Sequence, residues 1–214
     1  MTSKTNITLA VLAGGEGARM GRPKAELTVA GVPILRWLIK RWRWDGPTLL
    51  VTAPGRANPS GAQAFEREVS DAVAGEGPLR GLATALAAAR TPILVVATCD
   101  MPLIEPEQLS WLAEELLRRR GSAWMLMTRG PRGEEQAAPG QEAQGEIEPF
   151  PCAVQRAGRK AIERHLATGA RSLHSLASLA GVEIAPAPSH WTDESFTNLN
   201  HPHEYEAFAA RAQP

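Results

Sequence analysis

The run Ile7–Leu12 (ITLAVL) is apolar apart from Thr8 and stops at Ala13-Gly14-Gly15. It lacks the polar alternation of a half-exposed strand, so it is expected to be a strand buried on both faces, as in a parallel sheet. A parallel neighbour can be reached only through a crossover, usually a helix. The chain supplies that alternation. Thr48–Thr52 (TLLVT) is a second strand ending at Pro54-Gly55, and Pro92–Ala97 (PILVVA) is a third ending at Cys99-Asp100-Met101-Pro102. Pro33 opens a helix with Ile34, Leu35, Leu38 and Ile39 as its apolar stripe. Further helices are expected over Leu79–Arg90 and over Glu107–Arg120, where Leu109, Leu112, Leu116 and Leu117 share a face.

The remaining segments extend the pattern. Ala57–Glu68 reads as a short helix, and Glu68–Ala72, Trp124–Thr128, Pro151–Gln155 and Val182–Ala185 read as strands. Arg159–Ala167, Ser172–Leu179 and His201–Ala210 look helical. Thr128–Glu148 is rich in Gly, Pro, Gln and Glu, has too little apolar content to pack, and is expected to be a mobile loop. The expected architecture is α/β, a mostly parallel sheet covered on both faces, in one domain spanning residues 1–214. In such sheets ligands bind at the carboxyl ends of the strands, where both Gly14 and Asp100 would lie.

Composition narrows the function. The formal net charge is zero, which gives no overall electrostatic footprint for nucleic acid or an anionic membrane. No apolar run is long enough to span a bilayer, and the start lacks the pattern of a secretory leader. Cys99 and Cys152 form no CxxC pair, so reduced thiols in a cytoplasmic protein are expected. His201 and His203 read as a helix start rather than a metal site, Trp37 as a packed helix residue, and Trp42 or Trp44 as available to a partner surface.

Three clusters carry chemistry. Gly14, Gly15 and Gly17 after a strand form either a tight turn or a loop whose amides approach a phosphate. The segment matches neither the Walker A pattern nor the dinucleotide fingerprint. Arg19 and Lys24 add two cations to the same turn, which together with the glycines makes a triphosphate cradle. Asp100 at a strand end is either a turn cap or a Mg²⁺ ligand acting together with substrate phosphates. Asp71 and the turn Gly77-Pro78-Leu79 read equally as a helix start or as a base site, in which the carboxylate accepts the two adjacent N–H donors of guanine.

The segments LAGGEGARMGRPK, GPLRGL, CDMPLI, EPFPCAV and FTNLNHPHEY occur in this order from about Ile7 to Tyr205. Together they resemble the molybdenum cofactor guanylyltransferases, the MobA-type family. The resemblance implies a Rossmann-like, three-layer α/β/α nucleotidyltransferase fold. It also implies Mg²⁺-dependent transfer of GMP from GTP to molybdopterin, with release of pyrophosphate. By motif, Leu12, Ala13 and Gly14 would contact GTP and Lys24 its phosphates. Asp71 would contact the nucleotide, and Asp100 would bind both nucleotide and Mg²⁺. Asn198 and Asn200 would stand near the active site. Molybdoenzymes or cofactor-delivery proteins would be its partners. One departure stands out: TAPGR (Thr52–Arg56) lies where relatives often carry a nucleotide-contacting asparagine.

Three other functions fit parts of the pattern. A cytidylyltransferase using CTP on the same cofactor would share the loop and the carboxylate. A sugar-phosphate nucleotidyltransferase would share the first motif. An adaptor that binds nucleotide or cofactor without catalysis would not need Arg19, Lys24 and Asp100 together.

Overall fold

The computed structural model describes residues 4–15, 17–130 and 146–212. After a 3-10 turn at Lys4–Asn6 comes β1 (Ile7–Leu12), then a small hairpin of β2 (Thr28–Val29) and β3 (Val32–Pro33), α1 (Ile34–Trp42), β4 (Thr48–Thr52) and β5 (Arg67–Ser70). Next come α2 (Gly77–Ala88), β6 (Ile93–Thr98), α3 (Pro106–Arg118) and β7 (Met125–Arg129). β8 (Ile147–Gln155), α4 (Arg159–Ala167), β9 (Val182–Pro186) and α5 (Pro202–Arg211) complete it.

Among the described residues, seven strands form one sheet in the order β5-β4-β1-β6-β8-β7-β9. β1, β4, β5 and β6 run parallel, and β8 runs antiparallel to β6 and β7. Every residue of β1 is buried. Successive side chains of a strand point to opposite faces, so both faces are covered. α2 packs on β1, β4 and β5, and α3 packs on β6, β7 and β8, giving the mostly parallel α/β sheet expected from the sequence.

Register sets the working edge. Leu12 pairs with Val51 and with Thr98, and Thr52 pairs with Ser70. The chain leaves β1, β4, β5 and β6 at one level, which brings Gly14, Ala53, Asp71 and Asp100 to the same edge.

Several local expectations change. Ala57–Glu68 is not a helix but contains a 3-10 turn at Ala62–Ala64, because Asn58 and Gly61 take positive φ values of 56° and 90° and interrupt any α-helical ladder. Ser172–Leu179 is likewise a 3-10 segment, Leu173–Ser178. α2 starts two residues earlier than expected, at Gly77. β8 starts at Ile147 rather than Pro151; Pro149 and Pro151 fall where the β7–β8 register slips between Leu126 and Thr128, where their missing N–H groups disrupt the ladder least. The β2–β3 hairpin turns on Ala30 and Gly31, both at positive φ, as a two-residue hairpin loop requires. Of the polar segment Thr128–Glu148, residues 131–145 lie outside the described residues.

Trp42 and Trp44 are buried, not displayed to a partner. Their indole N–H groups donate to the carbonyls of Ile104 at 2.9 Å and Ile7 at 3.3 Å. Trp37 packs edge-on against Phe208. Cys99 and Cys152 are free and buried, and burial pushes both thiols far above their ordinary pKa. Among the described residues, no helix is long and apolar enough to cross a membrane.

Candidate nucleotide site

At the carboxyl edge of β1, β4, β5 and β6 the loops enclose a cavity of about 510 Å³. Its floor is β1 and β6, contributing Leu12 and Thr98. Gly14 and Gly15 line one wall, the β4 exit with Ala53, Pro54 and Arg56 a second, and Gly77 and Pro78 at the start of α2 a third. Lys24, Asp71 and Asp100 also reach it.

The glycines have different tasks. Gly17 sits at φ +62°, and a Cβ there would collide with the Arg22 carbonyl oxygen, so the turn itself demands glycine. Gly15 has no such constraint, since a Cβ would meet nothing within 4 Å. Its bareness keeps a cavity wall open and leaves the backbone approachable.

Lys24 is the organising cation. Its Nζ donates to Asp100 Oδ2 at 2.6 Å and to Asn200 Oδ1 at 2.7 Å, joining three segments far apart in sequence. Both members of the ion pair are largely shielded, with 14% and 19% of their side chains exposed. The Leu199 N–H donates to the Asp100 carbonyl at 2.7 Å, so the C-terminal loop is tied to the β6 exit. Glu204 accepts from the N–H groups of Asn200 at 2.6 Å and His201 at 2.7 Å and fixes that loop at the start of α5.

Three buried polar atoms of cavity-lining residues have no partner: Asp71 Oδ1, Thr98 Oγ1 and Asp100 Oδ1. An unpartnered buried polar group is costly, and at these three positions facing the cavity a bound ligand or metal would supply the missing bond. Burial raises the pKa of Asp71, opposed by a hydrogen bond from Thr84 and the charge of Arg80. Asp100 fits a divalent cation in one respect: Oδ1 is orphaned beside a carboxylate oxygen already engaged by charge. Among the described residues, no cluster of three or more His, Cys, Asp or Glu groups could hold a metal, so substrate oxygens would have to complete its shell.

The structure thus brings together Leu12, Gly14, Gly15, Lys24, Asp71, Gly77, Pro78 and Asp100, with Asn200 joined through Lys24. It does not bring in four others. Ala13 is buried and its N–H is bonded to the Val51 carbonyl at 2.8 Å. Leu79 is fully buried, with its N–H directed to Arg171. The Asn198 amide turns back to the Phe196 carbonyl at 3.3 Å. Arg19 is exposed and stands outside the cavity lining. Sequence reasoning missed Arg56, Glu76 and Thr98. The rule that loops leaving parallel strands carry ligands would have pointed to Arg56, just past β4.

Comparison with known proteins gives a consistent picture. Residues 9–182 match a family model described as the MobA-like NTP transferase domain. A protein of Carboxydothermus hydrogenoformans named probable molybdenum cofactor guanylyltransferase is 36% identical over 110 residues, 51% of this chain and 54% of that protein. A molybdenum cofactor guanylyltransferase of Pseudomonas paraeruginosa is 33% identical over 124 residues, 58% of this chain and 63% of that protein. The chain therefore spans between about half and two thirds of the length of these relatives. Among solved structures, molybdopterin-guanine dinucleotide biosynthesis protein A from Archaeoglobus fulgidus is similar with a TM-score of 0.71 at 22% identity, covering 95% of this chain and 97% of that one. A 2-C-methyl-D-erythritol 4-phosphate cytidylyltransferase from Thermus thermophilus gives 0.65 at 20% identity, covering 95% and 97%. At these identities the structural likeness is one of fold.

Proposed function

From the premise that the chain belongs to the MobA-like NTP transferase family, we propose that it transfers GMP from GTP to molybdopterin and releases pyrophosphate. The observation that carries the reading is the Lys24 ammonium held between Asp100 and Asn200 at the mouth of a cavity walled by Gly14 and Gly15. A carboxylate, a cation and approachable glycine backbone on one sheet edge are what a nucleoside triphosphate requires.

In the reaction the terminal phosphate of the acceptor attacks the α-phosphorus of GTP. One phosphorus–oxygen bond forms, and the bond to the oxygen bridging toward the β-phosphate breaks. The attacking group is already anionic, so no strong general base is needed. The chain must hold two anions together and stabilise charge on the departing pyrophosphate. Lys24 would exchange Asp100 for phosphate oxygens while its ammonium keeps the bond to Asn200 Oδ1. The Gly14 and Gly15 backbone would lie along the phosphates. Asp100 would hold Mg²⁺, which when bound draws charge from phosphate oxygens.

Asp71 would read the base. Its buried Oδ1 lacks a donor, and guanine presents two adjacent N–H groups on its pairing edge. Cytosine presents a single exocyclic amine there, which makes the CTP-dependent reaction the weaker fit. The setting assigned is the cytoplasm, where free thiols such as Cys99 and Cys152 persist. A molybdoenzyme or a cofactor carrier would receive the product.

The test is pyrophosphate release on molybdopterin with each of the four nucleoside triphosphates, with and without Mg²⁺. Release with GTP and Mg²⁺ is expected. Release with CTP alone would overturn the base assignment, and tight GTP binding without release would make the chain a carrier.

A further inference from the structure

Among the described residues, Lys24 and Arg56 are the cations that line the nucleotide cavity, against three acids, Asp71, Glu76 and Asp100. Lys24 is neutralised by Asp100. Glu76 is held by Arg80 and Arg171 from outside the lining. Arg56 alone among the lining cations has no carboxylate partner among the described residues. Its guanidinium makes one long bond, from NH1 to the Gly15 carbonyl at 3.4 Å. That bond crosses from the β4 exit to the glycine loop, and among the described residues the remaining guanidinium donors have no partner.

The described lining is short of positive charge for a triphosphate. Arg19, the second cation expected from the sequence, stands outside. We infer that Arg56 is a phosphate-positioning residue of this chain, closing over the polyphosphate from the β4 side while Lys24 holds it from the other. The inference rests on the cavity being a nucleoside triphosphate site. The anion it would take is a di- or triphosphate lying along Gly14 and Gly15, and a planar guanidinium can engage two of its oxygens at once. The arginine lies within TAPGR, the segment that leaves β4 at the same sheet edge as Gly14 and Asp100.

Calorimetric titration of the full chain with GTP, GMP and guanosine, using the unmodified protein, R56A and R56K, tests this. GTP binding by R56A should weaken about tenfold, the scale of one charge-assisted contact. Guanosine binding should be unchanged, which also reports an intact fold, and R56K should fall between. The salt dependence of GTP binding should be shallower in R56A. Unchanged GTP binding in R56A, or equal weakening for GTP and guanosine, would overturn the role of Arg56. If the unmodified chain bound none of the three, the nucleotide-site reading would itself fall.

Discussion

The Lys24 ammonium lies 2.6 Å from Asp100 Oδ2, so the cation we assign to phosphate is held by the carboxylate we assign to metal. Each group neutralises the other in a largely shielded place, and bound substrate would separate them. The pair would therefore matter more to catalysis than to stability.

Removing Asp100 separates the two roles. Asp100→Ala should lower transfer by roughly 100- to 1000-fold, the range for losing one preorganised charge-stabilising group. Lys24 keeps Asn200 as a partner, so the melting temperature should change little. Steady-state pyrophosphate release and thermal melting check both. Mg²⁺-dependent turnover near the unmodified level would remove Asp100 as a metal ligand.

Gly15 and Gly17 should respond in opposite ways to alanine. Gly17→Ala forces a left-handed residue against the Arg22 carbonyl and should cost at least about 1–3 kcal/mol of stability. Gly15→Ala meets no protein atom, so stability should hold while GTP binding weakens. Denaturant melts paired with nucleotide titration distinguish the two. A destabilised Gly15→Ala would mean that this glycine serves packing instead.

Asp71 should show its burial in pH dependence. Its folded pKa is raised, chiefly by desolvation, so its charge opposes folding as pH rises through that folded pKa, while the stability is fully present below the ordinary value near 3.8. Asp71→Asn should therefore melt higher than the unmodified chain at neutral pH, with the gain disappearing in acid. GTP binding should show the reverse pattern: it needs the ionised acceptor, so it weakens on acidification at a higher pH than an ordinary carboxylate would give. Melting curves and GTP titrations across pH measure both trends.

Glu204 should act at a distance through the loop it holds. Burial pushes its pKa up, but the Asn200 and His201 N–H groups together hold it below the ordinary value. Its contribution is thus present above pH 4.5 and is lost as pH falls through the lower folded value. Glu204→Ala should loosen Asn200 and raise the KM for GTP several-fold with kcat less affected. A fall in kcat at unchanged KM would place Glu204 in the chemical step.

The sequence by itself determined the sheet and its loaded edge. Predominantly apolar runs at Ile7–Leu12 and Pro92–Ala97 require burial on both faces, and their abrupt ends at Gly14 and Asp100 place the glycine loop and the carboxylate at strand exits. These are local signals, legible because burial and turn chemistry act within a few residues. The tertiary structure alone decided which groups meet. Asn200 reaches Lys24 across 176 positions. The amides of Ala13 and Leu79 are taken by Val51 and Arg171. Arg56 enters the cavity where Arg19 does not. Those partners follow from the β1–β4 and β1–β6 registers and from the C-terminal loop anchored to Asp100. Periodicity and propensity report a residue's own element, whereas long-range packing sets the side chain it will face.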